Sequence, residues 1–255
     1  MGMFYNNAVC DIYIGKSAGA KLLQDIRNAK RNVKIVSPYL SPSLIKELIF
    51  LHSKGIDVQL ITSDEIEDFY GNDKNINKLI VQKRHVDEKA KQSRDGLVNL
   101  SGTLLFAVIG LAVILFPLIF LLENWNFAYG FIAVVLLFFI RDSLVRQIKN
   151  KKIYYYTYKQ LFPFKVFISS NNGNSLNKTF VHSKIYVIDD EIAYLGSLNF
   201  TGKGIKSNHE TRIRTADPNA VGRIVEEVNH LFSESNLAER DLQFWGSQLY
   251  TEPIN

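Results

Sequence analysis

The sequence predicts an α/β fold with a mixed sheet, interrupted by an inserted apolar helical hairpin. Three observations predict it. Residues 17–61 alternate between helical and strand periodicity, the stretch from His182 to Thr215 reads as strands around a tight acidic turn, and residues 96–140 carry one charged side chain, Glu123.

In chain order, residues 17–30 place Ala18, Leu22, Leu23, Ile26 and Ala29 on one helical face. Val33 to Val36 is a short strand closing on Ser37-Pro38-Tyr39. A second helix opens near Pro42, with Leu44, Ile45, Leu48 and Ile49 inward, and Ile56 to Ile61 is a second strand. Strand, helix and strand with short links form a βαβ unit with parallel strands. Gly15-Lys16-Ser17 is no P-loop: Cys10 stands where the motif needs glycine, and no strong strand is expected before it. From Asp64 to Asp95 the chain is highly charged and expected to be helical. Val166-Phe167-Ile168 resumes the sheet after the apolar insertion. His209 to Thr215 alternates as a strand. Asp217-Pro218 then caps a helix whose core face is Val221, Ile224, Val225, Val228 and Leu231. Residues 239–255, with Phe244, Trp245 and Tyr250, carry no pattern that places them.

The chemistry concentrates in HSKIYVIDDEIAYLGSLNFTGKGIKSNHE, from His182 to Glu210. On a strand His182 and Lys184 share a face; beyond the return strand, so do Ser197 and Asn199. Imidazole, ammonium, hydroxyl and carboxamide can then converge on one small anion, with a nucleophile among them.

H-x-K-x4-D followed by G-S-x-N resembles the signature of the phospholipase D superfamily, matched by His182, Lys184, Asp189, Gly196, Ser197 and Asn199. Glu210 falls where members carry an acidic partner for the histidine. V-K-I-V-S-P-Y-L and G-I-D-V-Q-L-I-T are similar to the first half of such a domain. The resemblance implies a phospholipase D-like α-β-α sandwich with a mixed sheet, residues 1–82 its first half and 153–255 its second. It also implies a phosphodiesterase. His182 would attack phosphorus to form a phosphohistidine, Lys184 and Asn199 would bind the non-bridging oxygens, and Glu210 would hold the other imidazole nitrogen. Ser197 would support the phosphate pocket, and Asp189 would be a structural residue at the hairpin turn. Family active sites use two such motifs, and this chain has one; His52, His85, His209 and His230 lack a lysine two residues on. A homodimer with a shared active site follows from the resemblance. It implies no cofactor and no metal: there is no Cys/His ligand cluster, and lysine supplies the positive charge.

Residues 83–152 are expected to form stalk helices and a transmembrane hairpin, with apolar runs at about 97–122 and 125–140. The competing arrangement is a pair of buried core helices, but a domain this small can hardly cover every side of the first run. Its fifteen Leu, Ile, Val and Phe residues between 104 and 122 contribute about −5 to −9 kcal/mol to insertion. Lys83, Arg84, Lys89, Lys91 and Arg94 precede the hairpin; Arg141, Arg146, Lys149, Lys151 and Lys152 follow it, and the connection around Glu123-Asn124-Trp125-Asn126 has neither Lys nor Arg. The positive-inside rule then makes the N-terminus and the catalytic domain cytoplasmic, leaving the sequons at Asn177 and Asn199 unused. Tyr154, Tyr155, Tyr156 and Tyr158 fit either a headgroup belt or a packed stalk base.

The chain has 255 residues, a net charge of +5 and a single cysteine, Cys10, so an intrachain disulfide is excluded. MGMFYNNAVC lacks a signal-peptide core, and Asn6 fails the myristoylation pattern. Membrane phospholipid is both the expected anchor and the slightly favoured substrate. A membrane-tethered nuclease acting on DNA or RNA is the alternative, supported by the single motif and mild basicity, although no Arg-rich stripe interleaved with aromatics is present. A non-catalytic scaffold is the third class.

Overall fold

A computed structural model describes residues 5–64, 75, 77–121, 123, 125–168, 181–233 and 239–255. The chain divides into two compact units, Met1–Val81 with Tyr158–Tyr250, and Gln82–Thr157 with Thr251–Asn255.

The first unit begins with strand β1 (Cys10–Gly15), helix α1 (Ala20–Arg27), β2 (Asn32–Val36), α2 (Pro42–Ser53) and β3 (Asp57–Ser63). β2 and β3 pair in parallel, Val33 with Val58 and Val36 with Ile61, as a βαβ unit requires. β6 (Phe164–Phe167) extends this parallel part beside β3. The antiparallel part comes from β7 (Ile185–Ile188), β8 (Ile192–Gly196) and β9 (Glu210–Thr215), with β7 against β2. Among the described residues the sheet is seven-stranded, in the order β1-β9-β8-β7-β2-β3-β6. It is mixed, as the sequence predicts.

Helices cover both faces. α6 (Pro218–Ser233) lays Val221, Ile224 and Val228 on Val36, Ile61, Val187 and Ala193, all buried. Each such aliphatic side chain contributes about 1.5–3 kcal/mol by leaving water. The neighbouring Tyr194 points to the opposite face, where its hydroxyl donates to Asp25 of α1 at 2.5 Å. Arg27 of α1 pairs with Glu47 of α2, joining those helices in one layer.

Several elements differ from the sequence reading. The first helix is shorter than 17–30, because Ser17 adopts a left-handed conformation with φ 60° and the helix starts at Ala20. β1 is a strand that periodicity missed. Five of its six residues are exposed, so no buried stripe marks it; pairing with β9, Ile12 against Ile213, specifies it. The charged segment from Asp64 to Asp95 is not helical throughout. Residues 65–74 and 76 lie outside the described ones, and Ile80–Val86 is strand β4. It forms a ribbon with β5 (Tyr154–Gln160), framed by Asp87 N–H to Ile153 O and Leu161 N–H to Leu79 O, an antiparallel arrangement. Tyr156 and Tyr158 are buried in the ribbon, while Tyr155 is exposed and stacks on His85. The C-terminal segment, without a sequence pattern, forms α7 (Leu242–Leu249), whose Gly246 lies against the Tyr158 ring.

The second unit is dominated by α3 (Glu88–Leu121), a 3-10 turn (Trp125–Tyr129) and α4 (Gly130–Asn150). α3 and α4 approach closely at Gly130, where any side chain would collide with Leu115. Both helices are long and apolar enough to cross a membrane. They are not core helices: Phe106 of α3 is 77 % exposed and Phe139 of α4 63 %. Leu122 and Asn124, at the ends of the two apolar runs, lie outside the described residues, as does Asn177.

The β7–β8 turn is tied to the rest of the sheet by its carboxylates: Asp190 pairs with Lys34 at 3.0 Å, Glu191 with Arg31 at 2.8 Å, and Asp189 with the backbone of residues 30–32. Asp189 and Asp190 both adopt φ above 50°, a left-handed pair that reverses the chain in a tight turn. The Asp189 carboxylate accepts N–H bonds from Lys30 at 3.0 Å, Arg31 at 2.6 Å and Asn32 at 3.1 Å. Burial alone would raise its pKa, but these amides and the Arg31 charge outweigh burial and hold it below the ordinary carboxylate value. A depressed folded pKa gives stability that is present above the unfolded value and lost as pH falls through the folded one. We predict that Asp189→Ala lowers unfolding stability by about 1–3 kcal/mol at pH 7. Thermal unfolding should also show a flatter acid limb in Asp189→Asn than in the wild type.

Candidate active site

β7, β8 and β9 are antiparallel neighbours, with Ile185 against Leu195 and Gly196 against Arg212. Extending that register brings His182, Leu198 and Glu210 level at one end of the sheet. β7 itself begins only at Ile185, so His182 and Lys184 precede the ladder. Their two-residue spacing still places them together. Lys184 Nζ donates to the His182 carbonyl at 2.6 Å and lies 2.9 Å from Nδ1 and 3.3 Å from Nε2 of the same residue.

Lys184 is 6 % exposed, whereas the His182 side chain reaches solvent. Burial pushes the Lys184 ammonium below its ordinary pKa, and the Glu210 carboxylate pulls it back up. An ammonium has only donors, so a ring nitrogen that it bonds must offer a lone pair.

Glu210, 8 % exposed, accepts from Ser197 Oγ and, at 3.1 Å, from Asn208 Nδ2. Ser197 Oγ in turn accepts the Thr211 N–H at 3.0 Å. Gly196 has φ 156°, and a Cβ there would strike the Thr211 carbonyl; glycine lets Ser197 N–H reach that same oxygen at 3.1 Å. The loop carrying Asn199 is held from three sides. Tyr186 Oη donates to Leu198 O at 2.6 Å, Ser37 Oγ accepts Phe200 N–H at 3.0 Å, and Thr201 N–H donates to Asn199 O at 2.7 Å. Burial raises the Tyr186 phenol pKa far above normal, so it stays a neutral donor. The Asn199 side-chain oxygen is buried without a hydrogen-bond partner. Carboxamide ends are interchangeable by rotation, so this position can present either a donor or an acceptor to a ligand.

The structure thus brings His182, Lys184, Ser197, Asn199 and Glu210 to one end of the sheet. Asp189 stands at the other end of β7, about 20 Å along the strand, engaged with the backbone of residues 30–32. Two supporting residues escaped the sequence reading. Asn208 orients Glu210 and shares its face two residues upstream, a parity signal that was available. Ser37, fully buried, anchors the Asn199 loop from β2's end across 163 residues of chain, and nothing local marks it. Among the described residues no cluster of His, Cys, Asp and Glu forms a metal-ligand set.

Comparison with solved structures finds NucT from Helicobacter pylori, 14% identical, covering 92% of this chain and 100% of that one, with a TM-score of 0.46. Nuc from Salmonella typhimurium, a phospholipase D family member, is 13% identical over 91% of this chain and 99% of that one, at a TM-score of 0.43. Phosphatidylserine synthase from Haemophilus influenzae Rd KW20 is 13% identical over 98% of this chain and 44% of that one, at 0.40. These are distant likenesses, and no curated protein sequence matches the chain. The family model described as "Cardiolipin synthase, PLD-like domain" matches residues 22–234, a span that takes in both the βαβ unit and the whole His182–Glu210 motif. With most of its length matched, the chain belongs to the PLD-like domain family of the phospholipase D superfamily.

Proposed function

We propose that this protein is a membrane-held phosphodiesterase acting through a phosphohistidine, with phospholipid as its substrate. The observation that carries the reading is the pairing of a buried Lys184 ammonium with the solvent-reaching His182 imidazole, backed by Glu210 and flanked by Asn199. A phosphodiester is anionic and resists attack, so positive charge and a neutral nucleophile must arrive together. In the resting site Lys184 caps the imidazole lone pair. An incoming phosphate oxygen competes for that ammonium, which frees the ring nitrogen to attack.

The imidazole lone pair forms a P–N bond as the P–O bond to the departing alcohol breaks. A second His182, from another copy of the chain, protonates the departing oxygen. Water then attacks phosphorus, gives its proton to that second imidazole, and breaks the P–N bond. Lys184 and Asn199 stabilise the non-bridging oxygens throughout. Glu210, fixed by Ser197 and Asn208, supplies the negative charge that steadies the cationic pair. The single motif supports the homodimer, because one imidazole cannot serve both roles at once.

Phospholipid is favoured by the hairpin. The uncharged part of α3 from Gly96 to Leu121 is about 39 Å long, against a hydrocarbon thickness of about 30 Å, and its side chains are largely exposed. Residues 83–152 would serve as stalk and anchor, with both flanks cytoplasmic. A tethered nuclease is the second reading, supported by the single motif and the +5 charge.

His182→Ala should lower turnover about 10³-fold or more, read with labelled cardiolipin, phosphatidylcholine, DNA and RNA in EDTA. Acid-quenched wild type should carry phosphate on His182. Nucleic acid cleavage without release from any lipid would replace the lipid reading by the nuclease one. Mixing equal amounts of wild type and His182→Ala under exchanging conditions should leave about a quarter of the wild-type rate if heterodimers are dead, and about half if each chain works alone. For orientation, a membrane-impermeant maleimide should label Glu123→Cys in intact cells and reach the exposed Cys10 only after permeabilisation; the opposite pattern reverses the topology.

A further inference from the structure

Three exposed lysines border the site on its β9–β1 side: Lys16, Lys203 and Lys206. Among the described residues none of them enters an ion pair. Exposed lysines are ordinarily solvated one by one, yet here the backbone fixes them as a group. Ser17 Oγ donates to the Lys206 carbonyl at 3.1 Å, and Gly19 lies against Ile205, so the β1–α1 loop is joined to α5 (Gly202–Lys206). Arg212 supports the join from below, its Nη1 donating to Ala18 O at 2.7 Å. Its guanidinium lies over the rings of Tyr13 and Tyr194 at 5.2 and 5.6 Å, and its Nε is buried without a partner.

The rim is continuous with the site. α5 follows Asn199 and Thr201 directly, the Lys203 carbonyl accepts the N–H of Asn208 at 2.9 Å, and Asn208 bonds Glu210. Gly15, just before Lys16, pairs with Glu210. Three strand spacings put the base of Lys16 about 14 Å across the sheet from His182, before the lysine stem reaches back. The Glu210 carboxylate is committed to Ser197 and Asn208. A substrate with one phosphate needs Lys184 and has no use for three more cations at this distance.

We propose that Lys16, Lys203 and Lys206 form a second anion subsite that holds a further phosphate of the substrate, selecting phospholipids with more than one phosphate. The proposal rests on the phosphodiesterase reading and adds the charge of the substrate to it. Binding there lowers KM without touching the chemical step, because the rim stands apart from the reacting atoms. It also makes catalysis salt-sensitive, as exposed charge pairs are screened.

The test compares full-length wild type with the K16Q/K203Q/K206Q variant in detergent. On cardiolipin in mixed micelles the variant should lose about tenfold or more in kcat/KM, chiefly through KM, together with most of the salt dependence. On phosphatidylcholine and on bis(p-nitrophenyl) phosphate, each with one phosphate, it should stay within about twofold of wild type. Equal losses on all substrates, or none on cardiolipin, overturn the subsite. A selective loss on an oligonucleotide that wild type cleaves, with cardiolipin untouched, overturns the lipid assignment. Calorimetric binding of tripolyphosphate supplies a readout independent of turnover. Wild type should bind it clearly more tightly than the triple variant, which keeps the Lys184–Asn199 end; equal binding overturns the subsite even if no substrate is cleaved, an outcome that would defeat the phosphodiesterase reading separately.

Discussion

A lysine that is 6 % exposed is costly to keep charged, and the end of this sheet is arranged around that cost. Lys184 meets it with three partners of different kinds: a backbone carbonyl, an imidazole and the field of Glu210. Glu210 is itself buried and has to be held by Ser197 and Asn208. Ser197 can serve only because glycine precedes it, and Asn208 only because α5 turns the chain back. One buried cation thus fixes the identity of residues on three strands and two loops.

The same arrangement separates the backbone it fixes from the side chain it leaves accessible. Tyr186, Ser37 and Thr201 lock the backbone of the Asn199 loop through groups that do not titrate near neutrality. The imidazole, by contrast, stands at the rim where a ligand can reach it. Asp189 belongs to the rigid side. Its carboxylate shares the motif with His182 and Lys184 in sequence, yet it works on the backbone amides of residues 30–32, at the far end of β7. A motif read as one unit in sequence is two devices in space: the His182–Lys184 pair at one end and a fastening at the other.

Much of this was legible in the residues. The parity of His182 with Lys184 and of Ser197 with Asn199 survives folding, even though neither pair lies inside a ladder. β2, α2 and β3 were legible because their apolar runs are buried, and α6 because its stripe is. What escaped did so for physical reasons. β1 has no buried face, so its state depends on Ile213 and its neighbours in β9. In β4, Lys83, Arg84 and His85 read as the charge run of an exposed helix, while the pairing tyrosines that make it a strand lie about seventy positions later. Ser37 and Asn208 act through contacts whose meaning exists only once the sheet is assembled.

The turn at Asp189-Asp190 and the connection between β4 and β5 respond in opposite ways to changes in length. Between β4 and β5 the chain carries α3, a 3-10 turn and α4, and the ribbon closes around them; closure entropy grows only slowly with loop size, so extra turns of helix there are cheap. At the β7–β8 turn a single added or deleted residue would slide one strand by one step against its neighbour. His182 and Lys184 would then face the wrong side relative to Glu210, and the carboxylate of Asp189 would miss its amides. Extra turns in the apolar helices therefore leave the ribbon's closure nearly unaffected, while a one-residue insertion or deletion at the acidic corner dismantles the centre.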